Sequence, residues 1–110
     1  MNNNITKETQ KESYLAILES LGKRQQIIIE YLDYHSLVMT ASELARALFT
    51  EGKVPSYDRN AVHPRLNELV KMNVVEVVGK VPDTITGRKV AQYKLRSDWK
   101  VNAKKFINEI

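Results

Sequence analysis

Apolar residues recur along this chain first at helical spacing and then at strand spacing. Tyr14, Leu15, Leu18 and Leu21, with Ile17 beside them, predict a helix over about residues 6–21. Gly22 interrupts it, and Lys23-Arg24-Gln25-Gln26 opens a second helix. There Ile27, Ile28, Tyr31 and Leu32 share a face, with Ile29 to one side, and the pattern fades at Tyr34-His35-Ser36. Leu37-Val38-Met39 leaves room for one short strand. Thr40-Ala41-Ser42-Glu43 is a capping box: a threonine that can accept the N–H three residues on, and a glutamate that can reach back. The helix it opens should bury Leu44, Ala45, Leu48 and Phe49 and end where Gly52 takes a left-handed conformation. A connector stiffened by Pro55 follows.

Residues 58–72 read as one central helix. Val62, Leu66, Leu69 and Val70 form its apolar face, and Asn60, His63, Pro64, Asn67 and Lys71 fall opposite. Asp58 suits the N-cap. Pro64 leaves two readings open. Inside the helix it removes an N–H and disturbs the Asn60 carbonyl, at a cost of about 3 kcal/mol. If the helix begins near Ala61 or Val62 instead, Pro64 sits harmlessly in the first turn. Beyond it, residues 74–78 are a β-branched strand, residues 79–88 are rich in turn formers, and residues 89–96 alternate with Ala91, Tyr93 and Leu95 on one face. Together they predict a hairpin with a polar loop. Ser97 should cap a last helix with Trp99, Ala103, Phe106, Ile107 and Ile110 on one side and Lys100, Lys104 and Lys105 largely on the other.

The length of 110 residues suits one domain. Residues 1–5 are expected to be disordered and 6–110 to form a single α+β, mainly α unit. The absence of cysteine excludes a disulfide framework, a thiolate metal site and a cysteine nucleophile. The polar start carries no signal-peptide pattern, and no apolar run reaches the length of a membrane span, so the expectation is a cytoplasmic protein with no membrane partner. Charge is uneven. Residues 1–52 hold 5 Lys/Arg against 7 Asp/Glu, and residues 53–110 hold 12 against 6. The basic half begins at the central helix, which points to a polyanionic partner there and a scaffold role for the first half.

Candidate chemistry follows from this distribution. Amides and cations near a helix start match base edges and phosphates in a major groove. Asn60, His63 and Asn67 are the candidates for base edges, and Arg59, Arg65 and Lys71 for phosphates. For Arg65 an intrahelical ion pair is an equal alternative, and Lys71 alternatively is a plain solvated lysine. His35 is read as a residue favouring a helix C-terminus, since no second ligand sits at useful spacing. No Ser/His/acid set, glycine-rich phosphate loop or paired metal ligands occurs, so neither an enzyme nor a cofactor or metal site is expected.

Without the two terminal helices the predicted order is helix, strand, helix, helix, strand, loop, strand. Over about residues 21–96 the chain resembles the winged helix-turn-helix family of DNA-binding domains. The resemblance rests on 21–32 as first helix, Thr40-Ala41-Ser42-Glu43-Leu44-Ala45 as opening of the second, and Val62-His63-Pro64-Arg65-Leu66-Asn67-Glu68-Leu69 as recognition helix. With Thr86-Gly87-Arg88-Lys89 in the wing, it is most similar to small phage and prophage members. The connector at 52–57 is longer than the tight turn of the simplest members.

The resemblance implies double-stranded DNA binding, with the central helix in the major groove and Lys80, Arg88 and Lys89 of the wing on a phosphate or minor groove. It implies a transcriptional regulator as the commonest use, in a bacterial or phage-encoded setting. The flanking helices, about 6–21 and 97–110, suggest a homodimer through Tyr14, Leu18, Leu21, Trp99, Phe106, Ile107 and Ile110; alternatively they close the monomer's own core. The rival to DNA binding is a protein-interaction module on the same scaffold, such as an inhibitor or a replication or recombination accessory; RNA binding is a third option.

Overall fold

The computed structural model describes residues 14–84 and 86–109. The expected disorder at 1–5, the start of the first helix near residue 6, and Ile110 lie outside the described residues.

The fold is α+β and mostly helical, with five α-helices and one three-stranded antiparallel sheet among the described residues. Helix α1 covers the described residues 14–19, followed by α2 (Lys23–His35), β1 (Met39–Thr40) and α3 (Ala41–Thr50). A 3-10 turn at Arg59–Ala61 precedes α4 (His63–Lys71), then come β2 (Val75–Pro82), β3 (Lys89–Leu95) and α5 (Trp99–Glu109). Strand order is β1-β3-β2. The sheet carries its apolar face, centred on Tyr93, onto a core of Ile28, Ile29, Leu32, Leu44, Leu48, Val62, Leu66 and Leu69.

Local signals set the element ends. The capping box forms as expected: Glu43 N–H donates to Thr40 Oγ1 at 3.2 Å and Thr40 N–H to Glu43 Oε1 at 2.8 Å. Helix α3 closes with Gly52 at φ 72°, where Lys53 N–H reaches the Leu48 carbonyl and Gly52 N–H that of Phe49. Helix α4 closes the same way through a non-glycine residue: Asn73 at φ 60° donates to Val70 while Val74 donates to Leu69. The Asn73 carbonyl then accepts from the Asn102 side chain of α5 at 2.8 Å.

Several expectations are corrected. Residues 58–72 are not one helix. Asp58 caps only the 3-10 turn, accepting from Asn60 N–H at 2.8 Å, and the chain breaks at Val62 (φ −127°) before α4 starts at His63. Pro64 therefore lies in the first turn of α4, where its missing N–H costs nothing, and the break spares the Asn60 carbonyl a clash with its ring. Strand β2 runs to Pro82, so the loop shrinks to 83–88 and Lys80 belongs to a strand. Ile29 is fully buried rather than lateral, while Phe49 is 44% exposed and meets Tyr57 edge-on at 5.9 Å. Helix α5 starts at Trp99, so Asp98, not Ser97, precedes it.

The flanking helices close this chain's own core. Leu18, Leu21 and Trp99 are buried within the monomer, and Tyr14 meets Trp99 edge-on at 5.6 Å. Phe106 stays exposed and Ile107 half-buried. Among the described residues no helix is long and apolar enough to cross a membrane.

Candidate functional site

The sheet face that packs on the core continues beyond the helices, and there it becomes basic. Tyr93 and Ala91 lie on that face; their cross-strand partners are Val77 and Lys80. Between Val77 and Gly79 the register shifts, leaving Val78 as an extra residue. Strict alternation from Val77 would send Lys80 to the opposite face. The bulge returns it to the side of Tyr93 and Ala91. Lys89, two residues before Ala91, joins it there.

Opposite these lysines stand the 3-10 turn and the first residue of α4. Arg59, His63, Lys80, Lys89 and Tyr93 line one open groove of about 260 Å³, with Ser42 of the first turn of α3 at its side. Among the described residues that line it there is no carboxylate. Ion pairs among the described residues join Lys53 to Glu51, Arg65 to Glu68 and Arg96 to Asp98, and none of them uses a cation of the groove. This arrangement suits an anion.

The field acts on its own members. His63 is held below the ordinary imidazole value, first by burial and then by the Arg59 guanidinium. Both effects favour the neutral ring, in which one nitrogen donates and one accepts. Burial raises the Tyr93 phenol, and Arg59 partly offsets this.

Hydrogen bonds brace the described residues of the hairpin loop. Asp83 exchanges backbone hydrogen bonds with the far side of the loop: its N–H donates to the Arg88 carbonyl at 2.7 Å, and its carbonyl accepts from Gly87 N–H at 2.8 Å. Its carboxylate takes the Thr86 N–H at 3.1 Å and hydroxyl at 2.9 Å. Gly87 at φ 73° completes the turn. Arg88 is presented exposed at its end.

The predicted site residues thus separate into groups. Arg59, His63, Lys80 and Lys89 come together; Asn60 and Asn67 are exposed beside them on the turn and on α4. Asn67 follows His63 by one helical turn and shares its flank. Arg65 is paired within α4, its Nε 3.1 Å from Glu68 Oε1. Lys71 lies elsewhere, lining an apolar groove with Leu21, Met72, Phe106 and Ile107.

Three contributors carried only structural signals in the sequence. Ser42 read as part of a capping box and Tyr93 as core. Arg24 read as a helix opening, yet its Nη1 donates to the Ala61 carbonyl at 2.7 Å, tying α2 to the turn that bears Arg59. Compared with protein-family models, with curated proteins and with solved structures, the chain matches none of them.

Proposed function

We propose that this chain is a winged-helix domain that binds double-stranded DNA in a sequence-specific way, with α4 as recognition helix, the β2–β3 hairpin as wing, and transcriptional regulation as its role. The observation that carries this reading is the groove that joins Arg59 and His63 to Lys80 and Lys89, with no carboxylate among the described residues that line it. A duplex backbone is the polyanion that matches two basic walls set on a helix start and a hairpin. Asn60, His63 and Asn67 are then the base-edge readers, with Asn suited to adenine. Arg59, Lys80, Arg88 and Lys89 take phosphates. Arg65, held by Glu68, and Lys71, on the far side, are left as minor contributors.

The test is selection from a randomised duplex pool, with sequencing of bound molecules across a salt series. Enrichment of a motif, with affinity falling as salt rises, supports the proposal. Binding without enrichment favours an architectural role. No binding at low salt refutes it.

A second reading has its own observation. The groove of Leu21, Met72, Phe106 and Ile107 between α4 and α5 is apolar, and Phe106 is 41% exposed at its edge. It is suited to a protein, either a second copy in a dimer or a different partner. Phe106→Ser should abolish a dimer seen by sedimentation while leaving monomer DNA contacts in place.

A further inference from the structure

Arg24 and Gln25 are consecutive residues in the first turn of α2, and both reach across to α4. Arg24 Nη1 donates to the Ala61 carbonyl at 2.7 Å, at the break where the 3-10 turn gives way to α4. Gln25 Nε2 donates to Glu68 Oε1 at 2.9 Å, in the middle of α4. The Gln25 amide is itself oriented, because its Oε1 accepts from Gly22 N–H at 3.0 Å. Glu68 is oriented as well, because the same oxygen takes Arg65 Nε at 3.1 Å. The first turn of α2 therefore grips α4 at its entry and at its midpoint.

Two fixed points define the direction of a rod. Apolar packing between these helices narrows their crossing angle only to within about 15–20°. Hydrogen bonds at two separated points add the missing constraint on slide and rotation. Ala61 is also one residue from Asn60 and two from Arg59, so its carbonyl anchors the segment that carries them.

We infer that Arg24, seconded by Gln25, is a positioning residue for base discrimination: it aims the start of α4 without touching DNA. This rests on the DNA-binding reading above. Base-edge hydrogen bonds demand alignment, whereas phosphate contacts from long flexible cations tolerate a small rotation of the helix. Loss of the grip should therefore erode discrimination and spare non-specific affinity.

The experiment measures wild type, Arg24→Met, Arg24→Lys and Gln25→Ala against the duplex recovered from the pool and an unrelated duplex, each across a salt series. Cooperative urea unfolding is recorded for each variant. Arg24→Met is expected to lower the ratio of specific to non-specific affinity about tenfold, with non-specific affinity within about twofold and the salt slope unchanged. Arg24→Lys, which keeps a donor and the charge, should retain more of the ratio. Gln25→Ala, which removes no charge, should repeat the signature in a milder form, and it carries the test if Arg24→Met does not fold. An unchanged ratio in Arg24→Met and Gln25→Ala overturns the inference while leaving DNA binding intact. A salt slope lowered by about 0.9 in Arg24→Met also overturns it, because Arg24 would then be a phosphate contact. Failure of the wild type to bind any duplex removes the functional reading first, and this inference with it.

Discussion

Lys80 offers a sharp test of the groove, because its place there depends on one bulged residue. Lys80→Ala and Lys94→Ala remove the same charge from the same hairpin, so any effect of net charge alone is common to both. Lys80 lines the basic groove. Lys94 stands opposite Glu76 in the strand register and lines a different groove beside Leu32 and Trp99. If Arg59, Lys80, Arg88 and Lys89 each neutralise one phosphate, the logarithm of affinity should fall with the logarithm of salt at a slope of about 3.6. Between 50 and 200 mM salt, that slope means a loss of about 150-fold for the wild type. Lys80→Ala should reduce the slope to about 2.7 and the loss to about 40-fold, while Lys94→Ala stays near the wild type. Fluorescence anisotropy of a labelled duplex across six or so salt concentrations resolves this difference. Equal slopes for Lys80→Ala and wild type, or an equal effect of Lys94→Ala, would refute the assignment of the groove.

Thr40→Ala removes the side-chain cap of α3 and should destabilise the protein by about 1 kcal/mol in urea unfolding, whereas Thr40→Ser, which keeps the capping hydroxyl, should avoid most of that loss. Leu66→Ala, at a fully buried position in α4, should cost about 2–5 kcal/mol in the same assay. At Gly87 a Cβ would meet nothing within 4 Å, so Gly87→Ala should cost only the left-handed backbone strain, about 1 kcal/mol. His63 gives a pH signature: its folded pKa is lowered, so the folded state binds fewer protons than the unfolded chain. Stability should be full above the ordinary imidazole value of about 6.5 and decline as pH falls below it through the folded value, and His63→Asn should flatten that decline. Tyrosine absorbance should show one group, Tyr14, ionising only near pH 12, owing first to burial and then to Asp33, and Tyr14→Phe should remove it.

Signals confined to one element were legible in the sequence. Thr40 and Glu43 sit three residues apart and form their reciprocal bonds whatever surrounds them. Gly52 stops α3 through its own backbone freedom. Val62, Leu66 and Leu69 share a helical phase that burial then honours, and the polar run between two strands does become a hairpin loop. Arg59, His63, Lys80 and Lys89 could be singled out as residue types suited to an anion.

Their assembly belongs to the tertiary structure. Periodicity gives phase within an element but says nothing of which neighbour covers each face. So Phe49 proved exposed and Ile29 buried, and Trp99 packs into its own monomer. Strand parity would have turned Lys80 away from the groove, and the bulge at Val78 reverses that through a pairing with β3 that no local pattern encodes. Lys71 shares α4 with His63 yet faces α5, because two residues eight apart on one helix can border different partners. The hydrogen bond from Arg24 to Ala61 spans 37 residues of chain. It exists because Pro64 breaks the helix at one place and the packing of α2 brings a guanidinium to that break, a coincidence in space that neither segment carries by itself.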